Sequence, residues 1–192
     1  MSTEIIKQVA ASGDDGGVEG SSFGDSGSFQ TLGSWTSVAS VFARFLNLTI
    51  PQGATIDSAK ISFKEAFTAN ATPCPTRIYF NDVDDASTLP TSAATYNALA
   101  VTSEYVDWAV PVAAQATWYD SPDITDVIQE IVDRANWESG NDMLLLWKDN
   151  GAANYHYRQV RTYDNSSSDG VKLTINYTEA VTSNNNGFFA LM

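Results

Sequence analysis

The sequence SPDITDVIQEIVDRANWESGNDMLLLW, residues 121–147, decides the fold more than any other part of the chain. Its first half repeats apolar side chains at helical spacing, at Ile124, Val127, Ile128, Ile131 and Val132. This stripe predicts an amphipathic helix whose apolar face is covered by other structure. Ser121 suits the N-cap, Pro122 suits the first helical position, and Gly140 ends the region. We therefore predict a helix over residues 122–135.

The residues that follow the helix, MLLLW at 143–147, are all apolar and predict a strand that is buried on both faces. Further β-favourable segments lie at 38–50, 59–67, 77–81, 105–110, 155–163 and 171–177. Residues 86–100 are predicted to be a long connection. The chain is therefore expected to be mainly β, as an antiparallel, jelly-roll-like β-sandwich with one amphipathic helix and extended terminal arms.

Composition divides the chain into three parts. Residues 1–33 are predicted to form an N-terminal arm with the first strand, because 13–33 are rich in Gly, Ser and Asp. Residues 34–178 are predicted to form the β-sandwich. Residues 179–192 are predicted to be a polar linker and an apolar tail, GFFALM. The tail either folds back on its own domain or docks on a partner, and we expect docking through Phe188, Phe189, Leu191 and Met192.

The charge balance restricts the partners. Ten Lys and Arg stand against 23 Asp and Glu, a formal net charge of −13. Nucleic acid and anionic membrane surfaces would be repelled by this charge. The first residues, MSTEIIKQVAASGDDGG, have no basic segment followed by a long apolar run, so we expect no secretion signal, and no membrane insertion is expected.

Catalytic motifs are scarce, and we expect no enzyme activity. Nucleophilic catalysis would need the single histidine, His156, beside Cys74 or a serine. A lone histidine in a strand is usually a packing or surface residue, and the single cysteine is predicted to be an unreactive loop residue. No phosphate-binding glycine loop and no zinc motif is present in the sequence.

No cofactor is expected, although calcium is a weak alternative. Calcium takes several oxygen ligands from loops, and acidic turns of a β-sandwich can supply them. The candidate ligands are Asp14, Asp15, Asp82, Asp84 and Asp85. The other interpretation of these residues is that they are solvated turn charges.

Aromatic residues offer a second kind of site, because sugar rings stack on exposed aromatic rings. The wider set is Trp35, Trp108, Trp118, Trp137 and Trp147, with Tyr119, Tyr155, Tyr157 and Tyr163. Trp137 and Trp147 flank the helix and the buried strand, so we expect both in the core. Trp108, Trp118 and Tyr119 are the predicted exposed glycan contacts.

Several segments together resemble a known family. These are VAASGDDGG from Val9, ARFLNLTIPQGATIDSAKISF over 43–63, WESGN over 137–141 and RTYDNSSSDGVKLTINY over 161–177. Their order is similar to that in the DNRLRE-type, carbohydrate-binding-module-like jelly-roll domains of large bacterial and archaeal surface proteins. The resemblance implies a jelly roll and supplies no catalytic residues. Its most specific part is the pairing of 50–59 with 137–141.

These observations lead to two expected functions. The first is a non-enzymatic bacteriophage virion protein, either a capsid decoration (cement) protein or a tail-fibre component, made in the host cytoplasm. It would bind other virion proteins or copies of itself in an oligomeric assembly. The second is a carbohydrate-binding or adhesive module at a cell surface, with a glycan as its partner.

Overall fold

The computed structural model describes residues 1–69 and 72–180, and strands are the main regular structure of that part. The strands are β1 (Ser2–Gln8), β2 (Asp15–Glu19), β3 (Ser22–Gly24), β4 (Phe29–Ser34), β5 (Val38–Phe45), β6 (Thr55–Lys64), β7 (Cys74–Phe80), β8 (Val106–Val110), β9 (Trp118–Asp120), β10 (Met143–Asp149), β11 (His156–Arg161) and β12 (Lys172–Thr178). The helices are α1 (Ala93–Asn97) and α2 (Thr125–Val132).

Two antiparallel sheets form a sandwich. The smaller sheet has the strand order β1-β12-β6-β9. The larger, eight-stranded sheet has the order β11-β4-β5-β10-β7-β8, with β2 paired to β5 and β3 paired to β2. The prediction of a mainly β, jelly-roll-like antiparallel sandwich is confirmed.

The main core lies between the sheets and contains alternate residues of the central strands. Ile61 and Phe63 of β6 face Trp147 of β10, and all three are fully buried. Trp137 and Trp147 are core residues, as predicted. Each indole N–H is satisfied there, since Trp137 donates to the carbonyl of Ile50 and Trp147 to the hydroxyl of Thr76, both at 2.9 Å.

A second apolar cluster covers the outer face of the larger sheet. Leu144 and Leu146 of β10 point away from the main core and pack in this cluster with Phe42 and Tyr96. Strand 143–147 is therefore buried on both faces, as its uninterrupted apolar sequence predicts. The covering layer comes largely from residues 83–101, of which residues 86–100 are predicted by the sequence to be a long connection. This segment contains α1, which begins with a capping box between Ser92 and Thr95.

Helix α2 is shorter than predicted. Its five predicted apolar residues are all buried, but the helix begins after Ile124 and not at Pro122. Residues 121–124 instead continue the edge pairing of β9 with β6: Ser121 N–H donates to Ile61 O, and Ile124 N–H donates to Ala59 O, both at 2.9 Å. The predicted Ser121 cap is wrong, because the Ser121 hydroxyl accepts from Ile61 N–H at 3.1 Å.

Residues 50–59 and residues 137–141, the most specific pair in the sequence resemblance, meet in space. Gln52, in the turn before β6, donates to the carbonyls of Arg134 and Ala135 at 3.0 and 2.8 Å. Trp137 reaches back to Ile50. These bonds hold the exit of α2 against the entry of β6.

The N-terminal part differs from the prediction. Residues 13–33, predicted to be loop-dominated, contain β2, β3 and β4. Strand β1 pairs along its whole length with β12, and β2 pairs with β5. Residues 1–33 therefore belong to the two sheets and do not form a separate arm.

Candidate functional site

Three aromatic residues lie together at one end of the larger sheet, and we call Trp35, Tyr155 and Tyr157 the aromatic cluster. Trp35 is 40% exposed and Tyr155 is 60% exposed. The rings of Trp35 and Tyr157 have centroids 4.6 Å apart and planes inclined by 38°. Val38, the first residue of β5, lies opposite Ser34 and is 59% exposed. This is a group of large apolar side chains that the fold leaves in contact with solvent.

Pairing of β4 with β11 brings these residues together. Trp35 follows the last residue of β4, and Tyr157 lies opposite Gly33 in the antiparallel register. The backbone N–H of Tyr155 donates to the carbonyl of Trp35 at 2.9 Å. Gly33 has φ +95°, and a Cβ there would lie 2.6 Å from His156 O and even closer to the Cys74 sulfur. Only glycine permits this approach of the two strands.

Tyr155 adopts an unusual backbone conformation. Its φ is +68°, in the left-handed region that non-glycine residues rarely occupy, and bulky side chains least of all. Such a conformation costs free energy and is found preferentially at binding and active sites. The Tyr155 backbone lies against the Trp35 turn in this conformation.

Polar groups border the cluster. The Ser34 hydroxyl donates to the Asn154 side-chain oxygen at 3.3 Å. Thr36 and Ser37, in the turn between β4 and β5, are exposed. Stacking rings beside hydroxyl and amide groups can bind a ligand that has apolar faces and hydroxyl edges.

The aromatic residues predicted as glycan contacts do not share a surface. Trp108 is 7% exposed and stacks on Trp147, with centroids 5.2 Å apart and planes 4° apart, so the prediction that it is exposed is wrong. Trp118 and Tyr119 are adjacent in β9, and adjacent strand residues point to opposite faces. The Tyr119 ring stacks on buried Phe63, and its hydroxyl accepts from Ala114 N–H at 2.8 Å.

Trp118 lies on the outer face of the smaller sheet, among lysines. The Lys172 ammonium is 4.0 Å from its ring centroid, and the Lys64 ammonium is 6.0 Å away. Lys64 also pairs with Asp169 at 2.8 Å. Glycan contact through Trp118 or Tyr119 stays a prediction.

The aspartates predicted as calcium ligands have protein partners. Asp14 pairs with Arg44 at 2.6 Å, and Arg134 pairs with both Asp82 and Asp84. The remaining two accept backbone N–H bonds at 2.9 Å, Asp15 from Tyr163 and Asp85 from Asp142. Within 1–69 and 72–180, no group of three or more His, Cys, Asp or Glu side chains is arranged to hold a metal. Calcium binding stays a prediction.

Burial, and the charge of Arg158 nearby, set the ionisation of two interior groups. Cys74 begins β7, so its predicted loop position is wrong. Its thiol is buried and donates to the carbonyls of Leu32 and His156, and desolvation raises the pKa of Cys74 to about 12. Desolvation likewise raises the pKa of Glu65 to about 7, against backbone hydrogen bonds and the charge of Arg158, which lower it. Because its pKa is raised to about 12, the Cys74 thiol stays protonated and is a poor nucleophile.

Two other predictions concern the ends of the chain and the membrane. The docking residues Phe188, Phe189, Leu191 and Met192 lie outside the described residues. Neither helix in the described part combines the length and the apolar character that a membrane crossing requires. The boundaries of the predicted units 34–178 and 179–192 stay predictions.

No protein-family model matches the chain, and no curated protein matches it. Among solved structures, the chain is similar to one described as CBM35 from Cellvibrio japonicus Abf62. The identity is 9% and the TM-score 0.39, over 89% of this chain and 92% of that chain.

Proposed function

We propose that this chain is a glycan-binding β-sandwich module and that the aromatic cluster is its binding surface. The observation that supports this most directly is the exposure of Trp35 and Tyr155, with Trp35 packed on the half-buried Tyr157 beside polar side chains. Burying rings of this size would stabilise the domain, so a site that keeps them exposed favours a binding role. The C–H faces of sugar rings stack on indole and phenol rings, while hydroxyl groups bond to a polar border.

The proposed role is binding without catalysis, as the sequence predicts. A small ligand bound by stacking needs no general base and no nucleophile. The inward position of Cys74 and the absence of a grouped metal site among residues 1–69 and 72–180 are compatible with binding.

The test is a polysaccharide pull-down with insoluble cellulose, chitin and xylan, together with a glycan array. We expect wild-type protein to bind at least one glycan. Trp35→Ala and Tyr155→Ala should each weaken that binding about tenfold or more, since stacking with an aromatic ring contributes about 1 kcal/mol beyond its buried area.

Tyr105→Ala is the matched control, because Tyr105 is 47% exposed on another strand connection. Trp118→Ala tests the outer face of the smaller sheet in the same experiment. The proposal fails if no glycan binds, or if Trp118→Ala abolishes binding while the two cluster variants retain it.

A role in a virion is the second candidate. The supporting observation is in the sequence: four large apolar residues in GFFALM follow a polar linker. Docked on a neighbouring subunit, these side chains would anchor a capsid decoration or fibre protein, and the β-sandwich would be displayed outward. Deletion of residues 184–192 should then abolish incorporation into particles, as measured by mass spectrometry of purified virions. Unchanged incorporation would contradict the anchoring role.

A further inference from the structure

Strand β1 is the longest edge strand in the described part of the two sheets. It pairs with β12 over its full length without a register shift, and no strand of residues 1–69 or 72–180 pairs with its other side. The other edges are better protected: β9 has three residues, and β11 is partly covered because Ala66 N–H donates to Gln159 O at 2.7 Å. Proteins usually interrupt a long edge with proline or a bulge, and β1 has neither.

The register of β1 shows which of its backbone groups point to the open edge. Val9 N–H donates to Val171 O at 3.2 Å, and these two residues lie opposite each other, one step beyond the pair Gln8 and Lys172. Hydrogen-bonded and non-hydrogen-bonded pairs alternate along an antiparallel ladder. The odd-numbered residues of β1 therefore bond to β12, and the even-numbered residues, with Ile6 in the middle, direct their N–H and C=O groups outward. An added strand would satisfy all of these groups together.

The side chains of β1 also favour association at this edge. Ile5 packs against the main core, whereas Ile6 points to the outer face of the smaller sheet and is 59% exposed. The strand that offers the matching set of backbone groups is β1 of a second copy of the chain. A twofold axis between the two copies would pair both open edges at once.

The charges of β1 select one register for such a pair. With the axis at Ile6, the two Ile6 side chains lie opposite each other, Glu4 lies opposite Gln8, and Lys7 lies opposite Ile5. No like charges are then directly opposed. An axis at Glu4 or at Lys7 would oppose two carboxylates or two ammonium groups, and an axis at Ile5 would place Glu4 opposite Ile6. The axis at Ile6 is therefore favoured.

We propose that two copies of this chain pair antiparallel through β1, about Ile6, so that the two smaller sheets become one continuous sheet. The pairing adds about six backbone hydrogen bonds and covers both Ile6 side chains. Because the contact is confined to one strand of each copy, the dimer is weak and depends on concentration. The proposal does not use the aromatic cluster, which belongs to the larger sheet.

Sedimentation velocity of the full-length chain from about 10 µM to about 1 mM tests the pairing. At about 0.15 M salt, screening over about 8 Å limits the repulsion between copies that each carry a net charge of −13. We expect a dimer fraction that increases with concentration, with a Kd of about 10–500 µM. In the dimer, amide hydrogen exchange of Glu4, Ile6 and Gln8, followed by NMR, should slow about tenfold or more.

Two variants of Ile6 place the contact at this edge. Ile6→Pro removes an N–H that points away from β12, so it should abolish the dimer and leave the ladder with β12 intact. Ile6→Glu opposes two carboxylates and should weaken the dimer about tenfold or more, which keeps the test valid if the proline variant does not fold. Val38→Glu adds the same charge at a position that is also 59% exposed, and should form the dimer nearly as wild type does.

Three results would overturn the proposal. The first is a monomer over the whole concentration range. The second is a dimer that both Ile6 variants leave unchanged, or that Val38→Glu weakens as much as Ile6→Glu does. The third is slow exchange of the Ile6 amide in a dilute monomer, since a segment of the same chain would then cover the edge. Trp35→Ala should still form the dimer, so failure of glycan binding and failure of this pairing are separate results.

Discussion

At the scale of single residues, Tyr155 shows a conflict between stability and binding. An aromatic residue at φ +68° is strained, and asparagine tolerates this region far better. The folded chain nevertheless holds a tyrosine there, and the residue is 60% exposed. The ring therefore adds little to the core, which fits a role in contacting a ligand.

This conflict can be measured with two substitutions that both remove the ring. Tyr155→Asn relieves the left-handed strain, whereas Tyr155→Ala does not, so we expect the asparagine variant to be more stable by about 0.5–1 kcal/mol. Urea denaturation followed by tryptophan fluorescence gives the two free energies of unfolding. Equal stabilities would show that the backbone at this position carries no strain.

The sequence could identify the aromatic residues at this scale but not their grouping. Trp35, Tyr155 and Tyr157 belong to the wider aromatic set, yet Trp35 is far from the other two along the chain. Their proximity depends on the register of β4 with β11, which no local pattern specifies. Trp118 and Tyr119 are neighbours in β9, so the alternation of strand side chains already places them on opposite faces of the sheet.

At the scale of secondary-structure elements, the joint between α2 and β6 explains why the 121–147 region organises the fold. The side-chain amide of Gln129, on α2, makes two hydrogen bonds to backbone of the kind that a neighbouring strand would make. Its oxygen accepts from Ile56 N–H at 2.8 Å, and its nitrogen donates to Ala54 O at 3.1 Å. The start of β6 is therefore paired by a helix side chain in addition to its ladder with β12.

Gln129→Leu should lower the free energy of unfolding by about 1–2 kcal/mol, because it leaves the Ile56 N–H and the Ala54 carbonyl unpaired. Leucine and glutamine have similar helix propensities, so the helix itself should not be affected. Gln115→Leu, in an exposed turn, is the control for the same chemical change. Urea denaturation measures both, and a Gln129→Leu value equal to the control would exclude the pairing role.

Elements with a strong periodic pattern could be predicted, and glycine-rich strands could not. The apolar stripe predicts α2, and the uninterrupted apolar run predicts β10. The observed boundaries of both elements differ from the predicted ones by two or three residues. Strand β2 was missed because Gly16 and Gly17 are typical of loops. Here the two glycines make room for other side chains: a Cβ at Gly16 would lie 2.5 Å from the Phe42 ring, and one at Gly17 would lie 2.8 Å from Gln30.

At the scale of the whole molecule, two buried carboxyl groups set the response to pH. Burial raises the pKa of Asp15 to about 7 from 3.8, against the Tyr163 N–H bond, and nearby Asp164 and Asp14 raise it further. Burial also raises the pKa of Glu65 to about 7 from 4.5. Because the folded state binds these protons more tightly, their contribution to stability is complete below about pH 4 and is lost as the pH rises through 7.

Other carboxyl groups act in the opposite direction. Hydrogen bonds from Arg134 lower the pKa of Asp84, and those from Arg77 lower the pKa of Asp107. Their contribution is present above about pH 4 and is lost on acidification. We therefore expect maximal stability near pH 5 and a decline toward pH 8.

Asp15→Asn should make that decline smaller by about 1–3 kcal/mol between pH 5 and pH 8, because asparagine does not ionise. Urea denaturation at the two pH values measures the difference. Asp25→Asn changes the same charge at an exposed position and serves as the control. A decline as steep in Asp15→Asn as in wild type would contradict the assignment to Asp15.

The pairing of β1 with β12 joins the two ends of the described fold. Ser2 lies opposite Thr178, and both hydroxyls donate to the same Asp57 carboxylate oxygen, at 2.8 and 2.9 Å. A short linker between residues 2 and 178 could therefore close this fold into a ring. New chain ends could then be placed in a surface turn, so that the core stays intact. For the same reason, this domain could be spliced into a loop of an unrelated host protein, which would hold it by both ends at one sheet edge.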